Sequence, residues 1–310
     1  MHPLIAIVGP TASGKSDLGL HLAESFSGEI VNYDSVQIFR HLNIGAAKPS
    51  AEERQRVPHH MIDIREPTDV FTAGDYQREA RKVLGEIRNR RKVPILVGGT
   101  GLYLRALIEG LFNGPTRSMY WRNRLEMMAE RKGRAYLHRV LQRLDPLAAA
   151  RIAERDKPKV IRALEVRLET GKPLSQHLDE RPRQPLTGFD VHFVGLNPGR
   201  EDLYKRIDER VCRMFETGLV EEVRHLLAQG IPPSAKPFEA IGYRHVIADL
   251  DSAIAREETI RIIQRDTRRY AKRQMTWFRK QSEIAWFDGP GDSDDIKNKV
   301  RQFLKPLVNF

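Results

Sequence analysis

The chain has 310 residues, 40% hydrophobic and 30% charged, which suits one large domain with an insertion or two domains. No run of about 18 apolar residues occurs, which argues against a membrane-spanning helix, and the single cysteine, Cys212, excludes an intramolecular disulfide and a cysteine metal cage. A formal net charge of +11 points to a polyanionic partner rather than a neutral metabolite alone.

The first apolar run, Leu4–Val8, reads as a buried strand rather than a secretory leader, and a reducing cytoplasm fits the cysteine usage. Gly9-Pro-Thr-Ala-Ser-Gly-Lys-Ser16 follows at once, a G-x-x-x-x-G-K-[ST] phosphate loop. Leu18, Leu22 and Phe26 then recur at helical spacing, with Gly28 as a stop. In such a loop successive N–H groups and the positive helix end face phosphate oxygens. Gly9, Pro10, Thr11, Ala12, Ser13 and Gly14 would form the cradle. Lys15 would add a point charge and Ser16 a hydroxyl for Mg²⁺. The motif specifies a diphosphate or triphosphate and leaves open what is attached to it.

Glu29–Asp34 is the second strand candidate, and Asp34 at its end is placed to act as a general base or to reach Mg²⁺. A helix N-cap is an equally good use of Asp34. His59 and His60 are adjacent, so they point in different directions and are expected to be structural. Asp63, at the end of a short strand, is a second candidate for the outer shell of Mg²⁺. A helix over Ala73–Arg91 leads to a third strand, Val93–Gly98, and to Gly98-Gly-Thr-Gly-Leu-Tyr103. There Thr100 offers a hydroxyl to an oxyanion or a base edge, or else caps the helix over Leu102–Leu111. Val191–Leu196 is the fourth strand. The alternation predicts an α/β fold, a P-loop NTPase-like, doubly wound parallel sheet with ligands at its C-terminal strand ends. Gly9–Ser16, Asp34–Gln37 and Gly98–Gly101 would then meet in one crevice.

Residues 113–188 show helical periodicity without a strand and are bracketed by Gly114-Pro115 and Arg181-Pro-Arg-Gln-Pro185. They are expected to form a mostly helical insertion in a core of residues 1–112 and 189–310. This segment carries 17 Lys and Arg against 9 Asp and Glu, and residues 256–281 carry 9 against 3. Two basic blocks beside a near-neutral core favour a nucleic acid as the partner. Arg200–Gln229 reads as one or two helices, and Glu257–Lys280 as a long basic helix bearing Tyr270, Trp277 and Phe278. The last twenty residues show no readable pattern.

Several segments, in order, resemble the tRNA dimethylallyltransferases, also called tRNA isopentenyltransferases. They are Gly9–Ser16, Asp34-Ser-Val-Gln37, Gly45-Ala-Ala-Lys-Pro49, His59-His-Met-Ile-Asp63 and Gly98-Gly-Thr-Gly-Leu-Tyr103. Arg162-Ala-Leu-Glu165, Ile241-Gly-Tyr-Arg244 and Tyr270-Ala-Lys-Arg-Gln-Met-Thr-Trp277 extend the match across most of the chain. The resemblance implies transfer of a dimethylallyl group from dimethylallyl diphosphate to N6 of the adenosine 3′ of the anticodon, position 37. The tRNAs would be those reading codons that begin with U. The phosphate loop would then cradle the prenyl diphosphate, with Mg²⁺ on Ser16, and Arg210 would help neutralise it. Asp34 matches the family's general base, and Thr100 the threonine near the diphosphate and target base. Contacts to the anticodon stem-loop are implied at Asp34, Ser35, Val36, Gln37, Thr100 and Arg122. They are implied too at Pro158, Lys159, Val160, Ile161, Arg162, Gly242, Tyr243 and Arg244.

The chain has Lys159-Val-Ile-Arg162 where the family often reads Arg-x-x-Arg, so Lys159 keeps the charge without the planar fork. Cys212 stands where an aspartate or histidine is common in the family, and no role is expected of it. The zinc finger of eukaryotic relatives is not found, so the resemblance is to the bacterial type, and a monomer is expected. Two rivals share the phosphate loop: an enzyme acting on a free nucleotide, and a nucleotide-switched RNA-binding protein. The first does not need two basic blocks, and the second does not need Asp34 in the crevice.

Overall fold

The computed structural model describes residues 1–112, 114–180, 183–250, 255–280 and 283–308. Asn113, Arg181 and Pro182, at the expected edges of the insertion, lie outside the described residues. The chain divides into two compact units, Met1–Ile108 with Leu186–Phe310, and Glu109–Pro185.

The first unit begins with β1 (His2–Val8), α1 (Lys15–Ser25), β2 (Gly28–Asn32), α2 (Ala51–Arg56) and β3 (His59–His60). It continues with α3 (Ala73–Asn89), β4 (Val93–Val97) and α4 (Gly101–Ile108). The second unit holds α5 (Met119–Lys132), α6 (Arg134–Leu144), α7 (Pro146–Arg151), α8 (Lys157–Thr170) and α9 (Leu174–Glu180). The chain then returns to the first with β5 (Phe189–Leu196), α10 (Arg200–Glu216), α11 (Leu219–Ala228) and α12 (Tyr243–Leu250). It closes with α13 (Arg256–Phe278), β6 (Ile284–Phe287) and α14 (Asp294–Val308).

Six strands make one sheet in the order β3-β2-β4-β1-β5-β6, every neighbouring pair parallel. Its centre is buried on both faces, which is why β1 reads as an uninterrupted apolar run. Alternate side chains of β1 serve different layers. Ile5 and Ile7 join Leu18 and Leu22 of α1 and Ile296, Val300 and Leu304 of α14. Leu4, Ala6 and Val8 join the opposite layer, with Leu84 of α3, Leu104 of α4 and Ile263 of α13. Each fully buried aliphatic side chain of this kind contributes on the order of 1.5–3 kcal/mol.

Two expectations change. The second strand stops at Asn32, because its side chain takes over the local hydrogen bonding: Nδ2 donates to the Met61 carbonyl at 2.9 Å, and Oδ1 accepts from Asp34 N–H at 3.0 Å. Asp34 therefore sits in a turn beyond the strand. The last twenty residues, which show no readable pattern, supply the helix α14 that covers one face of the sheet, and the edge strand β6 just before them is not among the expected elements.

The second unit has its own core, in which Leu125, Leu137, Leu141, Ile161 and Leu164 meet. Asp145 caps α7 by accepting from Ala148 N–H at 3.0 Å and also accepts from Ser175 N–H at 2.9 Å. Gly171, in the left-handed conformation, ends α8.

Candidate active site

The phosphate loop joins β1 to α1, and Gly14 precedes the helix with φ 82°. A side chain there would be strained, and its Cβ would come within 2.8 Å of the Gly291 and Asp292 nitrogens. The loop is braced from the far end of the chain. Gly291 N–H donates to the Ser13 carbonyl at 2.9 Å. Arg206 donates from Nε to the Ala12 carbonyl at 3.0 Å and pairs with Asp292 at 2.8 Å.

A cavity of about 420 Å³ opens over this loop, lined by Thr11–Asp17, Asp34, Gln37, Gly98, Gly99, Arg206, Arg210, Arg213, Tyr270 and Gln274 among others. Lys15, almost wholly buried, donates from Nζ to the carbonyls of Gly9 at 3.0 Å and Pro10 at 2.6 Å. Burial, reinforced by Arg210 and opposed by Asp34, lowers its pKa to about 7. Burial also lowers that of Arg210, while Asp34 opposes the shift; Arg210 donates from Nη1 to Thr11 Oγ1 at 3.3 Å. The buried hydroxyl of Ser13 has no hydrogen-bond partner among the described residues. Such an orphan in a loop of N–H donors is what an oxyanion would satisfy.

A second cavity of about 340 Å³ shares Thr11, Asp34, Ala46, Arg210 and Tyr270 with the first and adds Ser35, Val36, Thr100, Gly242, Arg244 and Arg273. Ile207, Val211, Met214, Ile241 and Ile263 give it apolar walls. Asp34 thus lies where a phosphate-lined cavity meets a largely apolar one. Its Oδ1 accepts from Val36 N–H at 2.8 Å, so the turn is capped locally while Asp34 still lines both cavities.

Thr100 does not use its hydroxyl to cap α4. Thr100 Oγ1 accepts from Ser35 N–H at 2.9 Å and donates to Ser35 Oγ at 3.1 Å, tying the Asp34 turn to the glycine turn after β4. Gln37 holds the next loop, its Nε2 donating to the carbonyls of Ala46 at 3.1 Å and Ala47 at 3.0 Å. Tyr243 is wholly buried. Its hydroxyl donates to Glu222 at 2.7 Å and accepts from Ala46 N–H at 3.1 Å, so it shapes the cavity wall from behind. Gly242 and Arg244 line the second cavity, and Arg244 pairs with Asp266 at 3.0 Å.

Asp63 is engaged elsewhere, by Lys48 at 2.5 Å and Arg54 at 2.6 Å, and it does not line the cavity over the phosphate loop. His60 meets Glu29 at 2.6 Å, and His59 Nδ1 meets the Val57 carbonyl at 2.7 Å. Cys212 lies 3.6 Å from the Gln264 amide and lines neither cavity.

Among the described residues no cluster of three or more His, Cys, Asp or Glu could hold a metal. The Ser16 hydroxyl lines the first cavity together with Asp34, an oxygen-only donor set. That set suits Mg²⁺ shared with phosphate oxygens and water rather than a protein cage.

In the second unit Glu165 is wholly buried, and it accepts from Ser118 N–H at 2.6 Å. Arg122 pairs with it at 3.1 Å and Arg162 at 3.3 Å. Val160 and Ile161 are 2% and 1% exposed and belong to this unit's core. Pro158 and Lys159 face solvent, and Lys159 pairs with Asp156, the N-cap of α8.

Sequence reasoning missed Gln274, Arg206, Arg213, Arg273 and Asp292, which line or brace the two cavities. The segment Tyr270–Trp277 stood out in the resemblance, and helical spacing puts Tyr270, Arg273, Gln274 and Trp277 on one face. That spacing was the available signal.

The "IPP transferase" family model matches residues 37–281. A tRNA dimethylallyltransferase of Koribacter versatilis is 49% identical over 302 residues, covering 97% of this chain and 98% of the relative. One of Geobacter sulfurreducens is 49% identical over 301 residues, with coverage of 97% and 96%. A crystal structure of a tRNA isopentenylpyrophosphate transferase of Bacillus halodurans superposes with a TM-score of 0.73 at 38% identity, covering 99% of this chain and 97% of that one. A eukaryotic dimethylallyltransferase acting on tRNA gives a TM-score of 0.82 at 26% identity, with coverage of 98% and 78%. With a family match over most of its length and bacterial relatives aligned nearly end to end, this chain belongs to the IPP transferase family and is a prenyltransferase of the bacterial tRNA dimethylallyltransferase type.

Proposed function

We propose that the protein transfers the dimethylallyl group of dimethylallyl diphosphate to N6 of the adenosine at position 37 of tRNA, 3′ of the anticodon. The product is N6-dimethylallyladenosine, and the substrates are tRNAs reading codons that begin with U. The observation that carries this reading is Asp34, which lines both the phosphate-loop cavity and the apolar-walled one. The diphosphate lies in the first cavity. The prenyl carbons and an adenine drawn out of its stack meet beside Asp34.

In the reaction the N6 lone pair forms a bond to C1 of the prenyl group as the C1–O bond to the diphosphate breaks. The bonding pair leaves with the diphosphate, and the N6 proton passes to the Asp34 carboxylate. An exocyclic adenine amine is a poor nucleophile, so both the base and the stabilised leaving group lower the barrier. Lys15, Arg210 and the N–H groups of Gly14, Lys15 and Ser16 hold the departing charge. Ser16 would hold Mg²⁺, which supplies further charge neutralisation on the diphosphate. Thr100 fixes the Asp34 turn through Ser35, whose backbone, with Val36, Gln37, Gly242 and Arg244, borders the target nucleotide.

The second unit, net basic, is assigned to the anticodon stem. Pro158 and Lys159 offer direct contact, as do the exposed parts of Arg122 and Arg162, 18% and 29% of their side-chain surface. Val160, Ile161 and Tyr243 act through packing and backbone, because their side chains are buried. Among the described residues no helix is long and apolar enough to cross a membrane, and a tRNA substrate places the work in the cytoplasm.

The test is to titrate dimethylallyl diphosphate, ATP and GTP separately against the protein with and without anticodon stem-loop RNA. The reading expects the prenyl diphosphate to bind in preference to either triphosphate. Preferential binding of a triphosphate, with no prenyl transfer, would overturn it.

A further inference from the structure

We propose that Gln274 is a positioning residue for this transfer, its single amide fixing the phosphate loop against the Gly98–Thr100 turn and therefore against Asp34. The proposal rests on the reaction assigned above.

Gln274 projects from α13 one turn after Tyr270 and is 6% exposed. Both ends of its amide are engaged. Its Oε1 accepts from Thr11 N–H at 2.8 Å, and its Nε2 donates to the Gly99 carbonyl at 2.9 Å. The Tyr270 hydroxyl donates to the same carbonyl at 3.2 Å. Burial, with Asp34 adding to it, raises the Tyr270 phenol, which keeps it a donor at neutral pH. The loops after β1 and β4 are thus joined by one side chain from a helix far along the chain.

Gly99 is where this clamp meets the base. A Cβ at Gly99 would stand 2.8 Å from Gln274 Nε2 and 3.2 Å from Asp34 Oδ2. No side chain fits between them, so Gly99 packs closely between the clamp and the Asp34 carboxylate. The bond to Thr11 has a second effect. It turns the Thr11 N–H of the phosphate loop toward the protein rather than toward the anion.

Helix packing alone does not account for a buried glutamine. An apolar side chain of similar size would hold α13 in place without the desolvation penalty of an amide. The polarity is explained by the two backbone groups it satisfies.

The experiment compares Gln274→Met, similar in length but without the amide hydrogen bonds, with Gln274→Glu, which keeps an acceptor for Thr11 and loses the donor to Gly99. Residue-resolved amide exchange at Thr11 is measured on the ligand-free protein. Single-turnover prenyl transfer and stem-loop Kd are measured on the same preparations. Gln274→Met should expose the Thr11 amide and slow transfer about ten- to a hundredfold, with RNA Kd within twofold of wild type. Gln274→Glu should keep Thr11 protected and still slow transfer. Unchanged Thr11 exchange in Gln274→Met overturns the proposal, as do transfer rates within twofold of wild type in both variants. A loss lying wholly in RNA affinity also overturns it, since Gln274 would then be an RNA contact. If the wild type itself transfers no prenyl group, the assigned reaction fails, and Thr11 exchange still reports on the clamp separately.

Discussion

Arg122 donates from Nη2 to the carboxylate of Glu165 at 3.1 Å, and Glu165 is wholly buried while the Arg122 side chain keeps 18% of its surface exposed. The arginine expected to touch RNA therefore also neutralises a buried charge inside its own unit. Breaking a buried pair from one side is costly because the remaining charge is desolvated. Here Arg162 and Ser118 N–H would still serve Glu165.

Arg122→Ala should accordingly destabilise the second unit by about 1–3 kcal/mol, less than a fully orphaned buried charge costs. Urea unfolding checks this, and Glu165→Leu should cost more than Arg122→Ala, because it leaves Arg122, Arg162 and Ser118 N–H without their common acceptor. Unaltered stability in Arg122→Ala would mean that the pair contributes nothing to the fold.

Lys159 gives the cleaner test of RNA binding, because its side chain is 67% exposed and its ion pair is with Asp156, the cap of its own helix. Lys159→Ala should weaken stem-loop binding and reduce the slope of log affinity against log salt by about 0.7–0.9, one phosphate's worth. Diphosphate binding should not change. Equal slopes for the variant and the wild type would remove Lys159 from the RNA surface.

Asp34→Asn keeps an acceptor for Val36 N–H and so leaves the turn in place while removing the base. The expected outcome is a fall in transfer rate on the order of 10²–10⁴ with stem-loop Kd unchanged. A near-normal rate would reduce Asp34 to a cap.

The parts of this site that can be read from the chain are those whose chemistry is local. The phosphate loop announces itself because its glycines, Lys15 and Ser16 are consecutive and follow a buried strand. Asp34 and Thr100 are legible as residues after strands, but their mutual tie through Ser35 is a product of the parallel sheet, which sets β2 beside β4. Gln274 is legible only through its helical spacing with Tyr270, Arg273 and Trp277; taken alone, a glutamine in a basic helix looks like any solvated position until tertiary packing buries it. The strand β6 escapes notice because it is four residues long, half-buried and at the sheet edge. In α14 the spacing Ile296, Val300, Leu304 and Val308 is regular, yet Pro306 and the preceding Gly289-Pro290-Gly291 obscure it. The roles of Val160 and Ile161 show the opposite limit, since a matching motif gives no information on which of its side chains point inward.

Lys15 makes donor binding sensitive to pH. With its pKa lowered to about 7 by burial, the free protein holds it increasingly neutral above that pH. A diphosphate favours the ammonium, so binding above pH 7 should be accompanied by proton uptake at Lys15, and affinity should fall as pH rises. The linkage to stability has the same origin. Between about 7 and its ordinary value of 10.5 the unfolded chain binds more protons at this residue, so its contribution to stability rises with pH across that window. Calorimetry of donor binding in buffers of different ionisation enthalpy measures the uptake. Lys15→Ala should lose that component, and an identical uptake in the variant would assign the proton to another group.

The most direct measurement is to incubate the purified protein with dimethylallyl diphosphate, Mg²⁺ and an anticodon stem-loop bearing adenosine at position 37, then analyse the RNA by mass spectrometry after nuclease digestion. The account predicts one C5H8 unit gained on that adenosine, release of one equivalent of diphosphate, and strong suppression of both by Asp34→Asn. An unmodified RNA, or a prenyl group on another nucleotide, would contradict it.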